Sequence, residues 1–155
     1  MNRVVIGVGN AYRHDDAVGL VVVRQLQPAT HDQYRVLELS GEGTSLMDAW
    51  ANADAAVVVD ATSSGAKPGT IIRLDVAATA VRSSLFRYSS HAFGLAEAIE
   101  LARALGQLPR RLLVFGIEGA DFTMGEGLSP EVNAAVPTVV AAITDEMGVR
   151  PPAQH

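Results

Sequence analysis

The run Val4-Val5-Ile6-Gly7-Val8 leads directly into Gly9-Asn10 and then into the adjacent acids Asp15-Asp16. An uninterrupted β-branched run suits a strand buried on both faces of a mostly parallel sheet. Gly7 and Gly9 permit a tight turn, Asn10 tolerates unusual dihedrals, and the two acids suit a helix start. The stretch therefore predicts strand, turn and helix, with a helix over residues 16–27 that Pro28 ends. One acid suffices for a favourable helix charge. The second, on the loop that the first strand delivers to the ligand-binding edge of an α/β sheet, is a candidate for binding chemistry.

A glycine turn after a strand also invites a dinucleotide reading. Gly7 and Gly9 match the first positions of G-x-G-x-x-G, but the third falls on Tyr12, whose ring would obstruct a pyrophosphate. Two acids at the helix start would repel the phosphate as well. A nucleotide fold is disfavoured on both counts.

The rest of the chain repeats the alternation. Residues 34–39 read as a second strand, and residues 40–44 as a loop into a short helix over 45–53. Residues 55–60 repeat the buried-strand pattern and end on Asp60. The turn-rich stretch 61–69 is too short for a helical crossover, so the fourth strand, 70–74, should run antiparallel at an edge. A short helix is possible at 79–85. Apolar spacing from Phe93 to Leu105 predicts a helix from His91 with Ser90 as its cap. A fifth strand follows at 111–117, and Ser129-Pro130-Glu131 starts a last helix, to about Met147, that Pro137 should kink. This is a three-layer α/β/α domain with a five-stranded, mostly parallel sheet and one antiparallel edge strand. Residues 1–148 form that single domain, and 149–155 read as a flexible tail.

At 155 residues the chain can bury a sizeable core without staples. It has no Cys, so a metal would have to be held by His and carboxylates, and a cysteine nucleophile is excluded. A formal net charge of −5 argues against nucleic acid as a partner. No leader and no apolar run of about twenty residues is present, which points to a cytoplasmic protein without a membrane partner. No serine stands in a G-x-S-x-G context, so serine-type catalysis is disfavoured.

Three residues from separate elements fall on the same sheet edge: Asp16 after the first strand, Asp60 ending the third, and His91 before the fifth. Two carboxylates and an imidazole suit a divalent first-row metal and leave coordination positions open. Each also has a structural reading, as a helix charge, a turn cap and a helix-start residue. His14 is a further ligand candidate beside the acids, with a solvated loop position as its alternative.

The pattern Gly7, Gly9, Asn10, Asp15, Asp16, Gly19 resembles the amino-terminal signature of the hydrogenase maturation proteases, G-x-G-N followed by D-[DE]-x-x-G. The resemblance extends through Asp60, through His91 with Gly94-Leu95, and through Pro68-Gly69, Phe115-Gly116-Ile117-Glu118 and Leu128-Ser129-Pro130. It implies an endopeptidase that removes the carboxy-terminal extension of a nickel-iron hydrogenase large-subunit precursor after nickel insertion. Asp16, Asp60 and His91 would be the metal ligands, and the nickel could be supplied by the substrate, with another divalent metal possible in vitro. The sequence departs from the family in one loop. Where the family has Asp-Gly-Gly-Thr, with an Asp that matters for cleavage, this chain reads Ser40-Gly41-Glu42-Gly43-Thr44. Glu42, or Glu38 in a shifted register, would then be the catalytic acid. A chain that kept the ligands and lost cleavage would instead be a non-catalytic nickel-checkpoint or chaperone protein.

Overall fold

The computed structural model describes residues 2–26, 34–86 and 91–147. Strands β1 (Arg3–Val8), β2 (Arg35–Leu39), β3 (Ala55–Thr62), β4 (Ile71–Asp75) and β5 (Arg111–Glu118) form one sheet in the order β2-β1-β3-β5-β4. All neighbours are parallel except β4, which pairs antiparallel with β5 at the edge. This is the predicted α/β architecture. The helices are α1 (Val18–Arg24), α2 (Gly43–Trp50), α3 (Leu95–Ala104) and α4 (Pro130–Glu146).

Alternation along the central strands sorts their side chains into two cores. Val4, Ile6, Val58 and Val114 face α2 and α3 through Leu46, Trp50 and Ile99, while Val5, Val57, Val59 and Phe115 face α1 and α4 through Val22, Val136 and Ile143. Both faces of β3 are therefore covered, which explains why its sequence is continuously apolar from Ala55 to Val59. Among the described residues no helix is long and apolar enough to cross a membrane.

Local departures from expectation have local causes. The predicted first helix is split: a 3-10 turn (His14–Ala17) precedes α1, because the Asp15 side chain turns inward to bond another loop instead of capping, and no side chain caps the turn. Pro28 and the expected last residue, Gln27, lie outside the described residues. The second helix starts two residues early, at Gly43, because the Glu42 carboxylate caps it. The possible helix at 79–85 is a 3-10 turn, Ser83–Phe86. The helix expected from His91 begins only at Leu95, with the Glu97 carboxylate accepting from the Gly94 N–H at 3.0 Å; His91 lies in the irregular segment ahead of it, and Ser90 is outside the described residues. The third strand continues past Asp60 to Thr62, and α4 carries Pro137 in its interior. The tail expected at 149–155 also lies outside the described residues.

From β1 the chain moves to β2 on one side, and it returns to place β3 on the other. The crevice beyond the carboxyl ends of β1 and β3 is thus the switch point where open α/β sheets bind ligands. Glycines make that crevice possible. A Cβ on Gly19 would come within 2.3 Å of the Val59 carbonyl oxygen and 2.4 Å of that of Val8, so α1 lies on the sheet backbone where any side chain would push it off. A Cβ on Gly9 would sit 2.0 Å from the Asp16 carbonyl oxygen. The signature glycines therefore bring the acidic turn down onto the strand ends.

Candidate functional site

The two adjacent acids divide their work. Asp15 is fully buried, and its carboxyl oxygens accept from the backbone N–H groups of Ala120 (2.8 Å), Asp121 (2.9 Å) and Ser129 (2.7 Å) and from Ser129 Oγ (2.7 Å). It bolts the loop after β5, and the start of α4, to the loop after β1. Ser129 occupies the predicted cap position, but its hydroxyl serves Asp15 and not its own helix.

Asp16 points the other way, into a cleft. Its Oδ2 accepts from the Asn10 N–H at 3.0 Å, and it lines a cavity of about 20 Å³ with Asp60, Val8, Gly41, Ser63 and Phe122. That volume suits one water or one ion. Asp60 is 8% exposed, and its Oδ1 accepts from the Ala61 N–H at 2.8 Å, the turn-cap contact considered for it, here made within the strand. Burial pushes the Asp60 carboxyl well above the usual range, and the neighbouring Asp16 charge pushes it further. Burial also raises Asp16, against the opposing pull of the Asn10 hydrogen bond, Arg13 and His91. Two carboxyl groups in one small cleft, both raised by burial and one of them also by the charge of the other, form a site whose electrostatics favour a cation.

His91 is not in the cleft lining but lies beside its wall, next to the altered loop. The Gly43 N–H donates to the Phe93 carbonyl at 2.8 Å, and a Cβ on Gly43 would strike the Phe93 ring at 2.3 Å. Gly41, at φ +99° and in the cleft wall, is the residue against which the His91 ring lies, with Cδ2 3.8 Å from the position of a Cβ there. By donor type, two carboxylates and an imidazole fit a divalent first-row cation. Among the described residues, no three His, Asp or Glu side chains are gathered as a ready-made metal cluster.

The acids of the loop after β2 are engaged locally. Glu42 accepts from the N–H groups of Thr44 (2.8 Å) and Ser45 (3.1 Å) and from both of their hydroxyls, and the bonds from Thr44 and Ser45 hold its pKa down at about 2. Glu38 is paired with Arg24 through two hydrogen bonds, of 2.9 and 2.7 Å, which lower its pKa. His14 is half-buried on its loop and is not in the cleft lining. Its Nδ1 lies 3.0 Å from the Gly127 carbonyl, and its ring fills the space over Gly125.

One organising residue carried no chemical expectation. Glu118, 3% exposed, accepts from Thr62 Oγ1 (2.9 Å), from the N–H (2.9 Å) and hydroxyl (2.8 Å) of Ser64 and from the Gly65 N–H (3.2 Å). It fixes the loop that carries Ser63 into the cleft wall. Apart from its place in the Phe115-Gly116-Ile117-Glu118 resemblance, its sequence signal was an acid after an apolar strand, the same signal that Asp60 gives.

Comparison with known proteins agrees with this architecture. The family model described as hydrogenase maturation protease matches residues 20–146. The chain is 30% identical over 153 residues to the hydrogenase 2 maturation protease of Escherichia coli (strain K12), covering 94% of this chain and 92% of that one. The solution structure of an endopeptidase from Escherichia coli superposes with a TM-score of 0.80 at 28% identity, covering all of both chains (100% each). The hydrogenase maturating endopeptidase HybD from Escherichia coli gives 0.72 at 27% identity, over 96% of this chain and 94% of that one. The chain belongs to the hydrogenase maturation protease family.

Proposed function

We propose that this protein is an endopeptidase that removes the carboxy-terminal extension of a nickel-iron hydrogenase large-subunit precursor once nickel has been inserted. The nickel is part of the substrate and is recognised through Asp16, Asp60 and His91. The observation that carries the reading is the pair of carboxylates in one ion-sized cleft at the sheet's switch point, where the Asp16 charge adds to burial in raising Asp60. A divalent cation presented there relieves that repulsion, so a loaded precursor gains a contact that an unloaded one lacks. Cleavage is thereby coupled to metal loading.

Within this reading, Asp60 supplies a buried oxygen ligand, Asp16 a second one oriented by the Asn10 N–H, and His91 a nitrogen ligand positioned by Gly41 and Gly43. A cation held there also supplies Lewis acidity toward a carbonyl or a water. The two roles separate in one experiment: metal-free enzyme that cleaves nickel-loaded precursor and ignores nickel-free precursor uses nickel for recognition.

Glu42 is the candidate catalytic acid of the altered loop. With a pKa of about 2 and both oxygens engaged, it is a weak proton acceptor at neutral pH. That observation favours the second reading, a non-catalytic nickel-checkpoint or chaperone protein that binds the precursor. Incubation of the protein with precursor, with and without nickel, followed by intact-mass analysis decides between them. Loss of a carboxy-terminal peptide only from loaded precursor supports the endopeptidase. Co-purification with no change in mass supports the checkpoint. If loaded precursor is cleaved, Glu42→Gln with unchanged turnover removes Glu42 from the chemistry.

A further inference from the structure

At the mouth of the cleft, two loops are fixed to each other by main-chain bonds. The Gly125 N–H donates to the Tyr12 carbonyl (2.8 Å), the His14 N–H to the Gly125 carbonyl (2.8 Å), and the Asp15 N–H to the Asp121 carbonyl (2.9 Å). Arg13 Nε donates to the Phe122 carbonyl (3.2 Å), and Asn10 Oδ1 accepts from the Tyr12 N–H (2.9 Å). His14 adopts φ +42° to complete the arrangement, a conformation that a non-glycine residue rarely takes. A rim held this rigidly nonetheless leaves its two large apolar side chains in water: Tyr12 is 62% exposed and Met124 75%.

We propose that Tyr12 and Met124 are the docking patch for the folded body of the nickel-bearing precursor, an inference that rests on the preceding functional reading. A cleft of about 20 Å³ admits an ion but not the protein around it. Whatever presents the metal must therefore lie across the rim. The rim and the cleft are continuous, because Asn10 bonds Asp16 and Phe122 is itself a cleft wall, so each loop carries both a cleft contact and an exposed anchor. Tyr and Met are enriched at protein interfaces, and anchors held in place before binding lose little freedom when a partner arrives. The patch fits an apolar, protruding surface next to a metal site.

The test is the double variant Tyr12→Ser/Met124→Ser, assayed on nickel-loaded precursor by intact mass. A control, Leu105→Ser, removes a 55% exposed apolar side chain just past the far end of α3 from Leu95, a cleft wall. The expected result is a KM raised about tenfold or more with kcat and thermal midpoint unchanged, and a control equal to wild type, since hot-spot anchors carry most of an interface's energy. A KM within about twofold of wild type overturns the proposal. Photo-cross-linking from Tyr12→p-benzoylphenylalanine keeps the surface separable from the chemistry. Cross-links to the precursor body without cleavage by wild type support the patch and refute the endopeptidase reading. Cleavage with cross-links absent, or confined to the extension, refutes the patch.

Discussion

Replacement of Asp15 by Ala should be strongly destabilising while leaving every cleft-lining side chain in place. The Asp15 side chain is wholly buried and serves three backbone N–H groups and one hydroxyl, on residues Ala120, Asp121 and Ser129. Ala removes both acceptor oxygens, and with them all four bonds, at once. The Ser129 hydroxyl can rotate toward another partner, but the N–H groups are fixed by the backbone, and each buried donor left unsatisfied costs about 1–3 kcal/mol. Allowing for water entering the space vacated, the loss should be about 3–5 kcal/mol, which in a chain of this size lowers the thermal midpoint by roughly 6–20 °C. Ser129→Ala removes one neutral donor and leaves Asp15 with three, so it should cost only about 1 kcal/mol. Urea and thermal unfolding read both changes, and amide exchange at Ala120, Asp121 and Ser129 should accelerate selectively in Asp15→Ala. A loss below about 1 kcal/mol, or equal losses for the two variants, would refute the bolt.

Gly19→Ala should cost more than about 3 kcal/mol or prevent soluble expression, since its Cβ would meet the carbonyls of Val8 and Val59 with no flexible side chain to yield; a thermal midpoint within a few degrees of wild type would contradict the close approach of α1. Asp60→Ala should abolish nickel-dependent cleavage while leaving a folded protein by circular dichroism, and retained nickel dependence would remove Asp60 from recognition. Glu42 has a pKa depressed from 4.5 to about 2, so its capping of α2 stabilises fully above pH 4.5 and is lost as pH falls toward 2. The gap in thermal midpoint between wild type and Glu42→Ala should be widest above pH 4.5 and narrow below it, and a gap that widens in acid would invert the assignment. Glu146 bridges Arg73 and Arg111, whose contacts lower its pKa. Both arginines are about half exposed, so Glu146→Gln should cost under about 1 kcal/mol at neutral pH, less at high salt, and nothing once acid has protonated the wild-type carboxyl.

The sheet was legible because its strands are buried on both faces, and that environment writes itself into the chain as Val4 to Val8, Val57 to Val59 and Leu112 to Val114. The antiparallel edge was legible from the shortness of the connection after β3. The start of α4 at Pro130 was legible from Ser129-Pro130; the other helix starts were not, and those failures share a cause. Ser129, Asp15 and Glu42 all have side chains that cap, but only Glu42 caps its own helix; Asp15 and Ser129 bond each other across about a hundred residues of chain. A local rule reads such residues as local. His91 was placed on a helix for the same reason: the apolar spacing from Phe93 onward is helical, yet Phe93 is held by Gly43 instead, and the helix waits for Gly94.

The same distinction bears on the acids that carry function. Four carboxyl groups, Asp15, Asp16, Asp60 and Glu118, are buried or half-buried at this edge of the sheet, and residue type alone does not sort them. What sorts them is the number of donors each receives. Asp15 and Glu118 collect three or more apiece from neighbouring loops. Asp16 and Asp60 receive a backbone N–H each, from Asn10 and Ala61, and both line the cleft. Saturated acids hold the loops, and under-bonded acids face the cleft. It follows that the loss of Asp15 or Glu118 should appear first as lost stability, and the loss of Asp16 or Asp60 as lost recognition in a protein that still folds. A variant set in which those two phenotypes are exchanged would show that donor count is not what assigns the roles.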